Sequence, residues 1–334
     1  MNSRYFFAGM ALLMFAVSAT HGDTAPSPSA ARDYLASIQP SASLQEFLDG
    51  AVAELSAADP KLRRTEVGIA ILDLTDRDQP RLAHFHGDRP IYPASVVKFV
   101  YLMAAYAWKE QGRLTIDPAL DTELTAMIRQ SSNQATRKVF ARLTETEPGP
   151  ELGPEPYQDF CERRFAVKRW LASLGIDDLH CVNPTYDGNG DLFGRDRQFL
   201  RDRTLGGVLK GRGEEFPNRQ AMTAIGTVKL LALLATDRAL TREDSSAVRG
   251  RMRRDPIEQP HLMARIAGGA KRIPGLEVYA KSGTWGPIYA DAGIVRDPSG
   301  RDLVIAVFTE ATPAYRGNLI AELAYRAARR VLVR

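Results

Sequence analysis

An α+β fold is predicted for this 334-residue chain from three observations. Strand-like patterning is confined to residues 67–86 and to the stretch after Pro274. The long interval from Ser95 to about Arg265 is mostly helical in period. Amphipathic helix patterns close both ends of the folded region, at Ser43–Leu55 and Asn318–Val333. Strands at both ends with helices between them predict one sheet built from the two chain ends, flanked by the terminal helices, with an inserted and mostly helical lobe.

The elements follow in order. Residues 1–22 read as an export signal: Arg4 precedes an apolar run from Tyr5 to Val17, and Val17-Ser18-Ala19 is a small-residue cleavage pattern. The run is too short and wrongly flanked to span a bilayer, a retained anchor being the alternative. Residues 23–42 carry Pro26, Pro28 and Pro40 among Ala and Ser and are expected to be a flexible leader. The domain proper is 43–334, with an α/β lobe (43–90 plus 270–334) and a helical lobe (91–269). Its first helix, Ser43–Leu55, aligns Leu44, Phe47, Leu48, Ala51, Val52 and Leu55. Val67–Leu74 and Arg81–His86 are strands. Phe165–Leu174 is a helix ending at Gly175, and Val228–Leu234 is strongly apolar. Leu276–Lys281, Ile288–Arg296 and Leu303–Thr309 are strands, with Pro298, Ser299 and Gly300 turning the last two.

Composition excludes several classes. A net charge of +4 is modest for this length, and there is no zinc-finger spacing, RNP motif or basic stripe, so no nucleic-acid partner is expected. The densest basic cluster, Arg249, Arg251, Arg253 and Arg254, is expected to be a solvated helix end. Cys161 and Cys181 either form a disulfide or stand as two separate buried thiols. Asp187-Gly188-Asn189-Gly190-Asp191 looks like the start of a calcium loop, but Leu192 and Gln198 occupy its sixth and twelfth positions. It is read as a plain loop. His84 and His86 would share one side of a strand but lack a third ligand, so no metal is assigned.

The chemistry is concentrated in three short motifs. Ser95 and Lys98, in Tyr92-Pro93-Ala94-Ser95-Val96-Val97-Lys98, lie one helical turn apart and share a face. Val96, Val97, Phe99, Val100, Leu102 and Met103 surround them and predict burial. A buried ammonium loses charge readily, and a neutral lysine can take a serine proton. Ser131-Ser132-Asn133 and Lys281-Ser282-Gly283-Thr284 follow. Singly, each has an ordinary explanation as a helix cap or a turn. Their order, on an apolar helix, after a helix and at a strand, makes a joint pattern.

With these residues the chain resembles the penicillin-recognising serine hydrolases, most closely the class A β-lactamase branch, with S-S-N and K-S-G as variants of S-D-N and K-T-G. Val67–Asp73, Met127-Ile128, Ala135-Thr136 and Asp291–Val295 extend the likeness from about residue 43 to the C-terminus. The resemblance implies a five-stranded antiparallel sheet with the active site between two lobes, and no metal or organic cofactor. It implies Ser95 as nucleophile, Lys98 as its base and Ser131 as proton relay to the leaving nitrogen. Asn133 would bind the substrate's side-chain amide, and Lys281, Ser282 and Thr284 its carboxylate. Backbone N–H groups of Ser95 and Thr284 would form the oxyanion hole, and Gly283 would leave substrate room to approach the strand edge.

Two features depart from the class A pattern. Ser95 and Ser131 are 36 positions apart, closer than is usual in that branch. No E-x-x-L-N motif supplies the acid that activates the deacylating water. Glu214, in Glu214-Glu215-Phe216-Pro217-Asn218, is a candidate; otherwise it belongs to a solvated loop pair. The expected protein is an exported, periplasmic or secreted monomer with no membrane span after signal cleavage. It would form an acyl-enzyme with a small-molecule β-lactam or peptidoglycan-derived substrate and hydrolyse the β-lactam amide. The alternatives are a D,D-peptidase or esterase of the same superfamily, and an inert cell-wall-binding module.

Overall fold

The strand-rich segments from the two ends of the domain meet in one sheet. The computed structural model describes residues 26–187, 192–207 and 215–333. Among them the strands are β1 (Gln39–Pro40), β2 (Glu66–Leu74), β3 (Arg81–Phe85), β4 (Leu179–His180), β5 (Ala221–Met222), β6 (Arg253–Arg254), β7 (Glu277–Trp285), β8 (Ile288–Arg296) and β9 (Asp302–Glu310). The main sheet runs β1-β3-β2-β9-β8-β7-β6, and β4 pairs with β5 separately. The expected five-stranded antiparallel sheet is thus corrected to a mixed sheet of seven. Two-residue β1 joins β3 in parallel, and two-residue β6 pairs with β7 at the other edge. Strands of two residues are too short to leave a periodicity in the sequence.

Strands β8 and β9 are buried almost throughout, on both faces, which explains their unbroken apolar runs. Side chains alternate between two cores. Ile69, Ile71, Ile305 and Val307 pack under α2 (Ala42–Ala58), α11 (Ile266–Ala270) and α12 (Leu319–Val331). Ala70, Leu72, Ala306 and Phe308 pack instead with α3 (Lys98–Glu110) and α9 (Ala224–Ala235). The remaining helices, α4 (Pro118–Thr125), α5 (Asn133–Thr144), α6 (Pro154–Arg164), α7 (Ala166–Ser173), α8 (Gly194–Arg201) and α10 (Arg242–Met252), lie between β3 and β7 in sequence.

The segment expected to be a flexible leader is ordered where it is described. Residues Pro28–Ala36 form α1, capped by Ser27 Oγ accepting from the Ala30 N–H at 3.2 Å. Ala31, Tyr34 and Leu35 are buried in the main core, and the Arg238 guanidinium lies 4.5 Å from the Tyr34 ring. Pro28 suits the first turn of a helix, so a residue read as a linker signal is a helix start. The export signal expected at residues 1–22 lies outside the described residues, as do Gly188–Asp191 and Glu214. Among the described residues no helix is long and apolar enough to cross a membrane.

Three smaller expectations change. The arginine cluster is not a solvated helix end: Arg249 is buried and donates to Leu234 O and Asp237, while Arg254 is buried and donates to Ile128 O and Ala280 O. Cys161 and Cys181 are both free and buried, in different hydrophobic clusters. His86 falls after the end of β3 with φ of 47°, so strand alternation does not pair it with His84.

Candidate active site

The motif of Ser95 and Lys98 does not begin inside a regular α-helix. Ala94–Val97 form a single tight turn, and α3 starts at Lys98. Ala94 is held at φ of 47°, a left-handed conformation that costs an L-residue about 1–2 kcal/mol. Such strain is found where a neighbouring side chain must be presented, and the neighbour is Ser95, which is half-buried. Its hydroxyl makes no hydrogen bond with another described residue.

Lys98 is fully buried, and its ammonium points at the second motif rather than at Ser95. Nζ donates to Ser131 O at 2.5 Å, to Asn133 Oδ1 at 2.6 Å and more distantly to Ser131 Oγ at 3.4 Å. Burial pushes its pKa down to about 7, against a smaller opposing effect of the Asp187 charge. Lys281 reaches the same hydroxyl from β7, donating to Ser131 Oγ at 3.0 Å and to Ser282 O at 2.7 Å. Burial, reinforced by the like charge of Lys98, holds Lys281 well below the ordinary lysine range. Two lysines of depressed basicity therefore converge on one serine oxygen.

Local backbone chemistry explains how the second motif serves this geometry. Helix α4 widens into a turn over Ala126–Gln130, and Ser131 terminates it in the left-handed conformation, φ 56° and ψ 31°. Ser132 does what a serine ordinarily does here: its Oγ caps α5 by accepting from the Ala135 N–H. One serine of the pair shapes the backbone, and the other is turned toward the lysines. Asn133 is engaged on both ends of its amide. Oδ1 accepts from Lys98, while Nδ2 donates to Asp187 Oδ1 at 2.7 Å and to Tyr186 O at 3.3 Å. Its amide is thus committed within the protein, in addition to any contact with substrate.

The third motif lies within β7 rather than at its end. Beyond Tyr279, where β6 stops, the outer edge of β7 has no strand partner among the described residues. Gly283 is needed for a reason internal to the fold, apart from the expected room for substrate. A Cβ there would stand 2.5 Å from Pro93 O and 3.1 Å from the Ser95 N–H. The turn carrying Ser95 is by itself enough to oppose a side chain there. Thr284 is exposed, and its Oγ1 accepts from buried Arg265 at 2.5 Å. Arg265 also donates to Ala290 O and lies 3.5 Å over the Tyr289 ring. Buried Asp291 faces these cations, yet burial still raises its carboxyl pKa.

A family model described as "Beta-lactamase enzyme family" matches residues 163–331, just over half of the chain. The chain belongs to that β-lactamase family. No curated protein matches the sequence. Solved structures with a similar fold include a β-lactamase from Sphaerobacter thermophilus DSM 20745, at 18% identity and TM-score 0.60 over 86% of this chain and 98% of that one. The TLA-1 extended-spectrum β-lactamase is 16% identical with TM-score 0.61, over 87% of this chain and 99% of its own. PBP-A is 17% identical with TM-score 0.58, over 87% and 96%.

Within this β-lactamase family member, the residue that sequence reasoning missed at the site is Asp187. It lies in the loop that follows β4, in the connection to β5 that also carries α8. The loop is pinned to the helix that carries Lys98: Tyr101 Oη donates to Asn183 O, and Gln220 Nε2 donates to Asn183 O and Pro184 O. Asn183 Nδ2 in turn donates to Asn218 O at 2.6 Å. Asp187 was visible only as the first residue of a failed calcium loop, since nothing in its sequence neighbourhood reports the Asn133 amide. Arg254 and Arg265 were missed too, because basic residues near a helix end look solvated until their carbonyl partners are known.

Proposed function

We propose that this protein is an active-site serine hydrolase that opens β-lactams through an acyl-enzyme on Ser95. The observation that supports this most is the convergence of buried Lys98 and Lys281 on Ser131 Oγ. In its neutral form Lys98 takes the Ser95 proton as Oγ attacks the β-lactam carbonyl. The carbonyl carbon gains the Ser95 oxygen and loses the ring nitrogen, which receives a proton through Ser131. Lys281, Ser282 and Thr284 bind the substrate carboxylate. The Ser95 and Thr284 backbone N–H groups receive the oxyanion, each donor being worth roughly 3 kcal/mol. Deacylation needs a water and a base, and Asp187, hydrogen-bonded to Asn133, is the described carboxylate that best suits the task. Export to the periplasm or the medium is proposed from the residue 1–22 pattern.

A D,D-peptidase with slow β-lactam deacylation is the second reading, favoured by the absence of E-x-x-L-N and by the exposure of Asp187. Intact-protein mass spectrometry with a penicillin separates the two. A Ser95-dependent adduct that disappears as hydrolysed drug accumulates supports a β-lactamase. A lasting adduct supports the peptidase, and no adduct with no turnover overturns both.

A further inference from the structure

One cation beside the turn that carries Ser95 has no counter-charge among the described residues. Arg219 lies two residues before β5, half-buried, with its guanidinium carbon 4.6 Å from the Trp285 ring centroid and 4.8 Å from that of Tyr92. Tyr92 and Trp285 meet edge to face, 5.4 Å apart. Arg249, Arg254 and Arg265 spend their N–H groups on carbonyls. No carboxylate or carbonyl among the described residues takes those of Arg219, whose contacts are aromatic.

Position ties this cluster to the site. Tyr92 precedes Ser95 by three residues, and Trp285 follows Thr284 on β7. Side chains alternate along a strand, so Trp285 shares the face of Gly283, the face that meets Pro93 and Ser95. Trp285 is 47% exposed, so the cluster opens to solvent. Aromatic rings packed against a guanidinium leave its donor edge free and lower the local dielectric. Each of these favours a planar, bidentate anion.

We propose that Arg219, lying against the Tyr92–Trp285 pair, is a subsite for a carboxylate carried on the acyl side of the substrate. The preferred substrate class is then an acyl donor with a side-chain carboxylate, beyond the carboxylate assigned to Lys281. This rests on the acyl-enzyme reading above. A purely structural Arg219, stapling the loop end to β7, is the competing account.

The test uses two penicillins that differ only by a carboxylate on the side-chain α-carbon, carbenicillin and benzylpenicillin. Their acylation rate constants are measured on the full protein, on Arg219→Ala and on Arg219→Lys. The expected result is a carbenicillin-to-benzylpenicillin rate ratio that falls about tenfold or more in Arg219→Ala and is partly restored in Arg219→Lys. A ratio unchanged by Arg219→Ala, including an equal fall in both rates, overturns the subsite. If neither drug acylates the wild type, the acyl-enzyme reading has failed, and the subsite is judged separately by tryptophan fluorescence with the free side-chain acids. Tighter binding of phenylmalonate than phenylacetate, lost in Arg219→Ala, supports it; equal binding overturns it.

Discussion

Lys281 Nζ donates to Ser131 Oγ at 3.0 Å across 150 positions of sequence. That bond joins the open edge of β7 to the turn before α5, and Lys98 shares the same oxygen. Burial lowers the basicity of both lysines, and Lys98 changes charge near pH 7.

Acylation should rise with pH through about 7, the value to which burial lowers Lys98, because only neutral Lys98 can accept the Ser95 proton. The check is the pre-steady-state acylation rate from pH 5 to 9. A flat profile, or one that falls through 7, removes Lys98 from the role of base.

The same shift has a consequence for stability. Below pH 7 the folded and unfolded chains both carry the Lys98 charge, and the folded chain bears the full cost of burying it. Between about 7 and the ordinary lysine value of 10.5 the folded chain has shed its proton while the unfolded chain keeps it, so stability rises with pH. Lys98→Met should therefore melt highest relative to wild type below pH 7, with the advantage shrinking by pH 10. A difference independent of pH would count against the burial cost.

Asp187→Asn should slow deacylation about a hundredfold or more, as loss of a general base does, while the Ser95 adduct still forms. Since the Asp187 charge raises the Lys98 pKa, the acylation profile of this variant should also move to lower pH. Stopped-flow acylation and adduct lifetime measure the two effects separately. An unchanged adduct lifetime would exclude Asp187 as the base.

Gly283→Ala should cost roughly 1–3 kcal/mol of stability, as overpacking does, and should depress acylation through displacement of the Ser95 turn. The cause is the collision with Pro93 O. Thermal melting together with a substrate too small to touch residue 283 distinguishes this from a substrate clash, because the small substrate should be affected equally.

Tyr34→Ala should destabilise the protein by roughly 3 kcal/mol, the usual scale for deleting a buried aromatic ring. Its ring packs in the main core and against Arg238. Chemical denaturation measures it; an unchanged midpoint would mean that α1 contributes little to the fold.

Much of the architecture was legible because it rests on local periodicity. Strands β2, β8 and β9 and helices α2 and α12 announce themselves by which residues must avoid water, and the observed spans agree within a residue or three. What periodicity does not carry is partner identity. The two-residue strands β1 and β6 exist only because β3 and β7 offer free edges. Helix α1 was hidden because proline, alanine and serine spell a linker and a capped helix start alike.

The amino-acid sequence by itself determined the α+β layout and the three polar motifs, since hydrophobic period and side-chain chemistry are local properties. Only the tertiary structure decided what those motifs touch. It turned Lys98 toward Ser131 and Asn133 rather than Ser95, set Gly283 against Pro93, brought Asp187 to Asn133 and laid Arg219 against the Tyr92–Trp285 pair. Each of these relations joins residues far apart in the chain. Each depends on burial and on hydrogen-bond partners that exist only once the sheet has closed and the β4–β5 loop is pinned to α3.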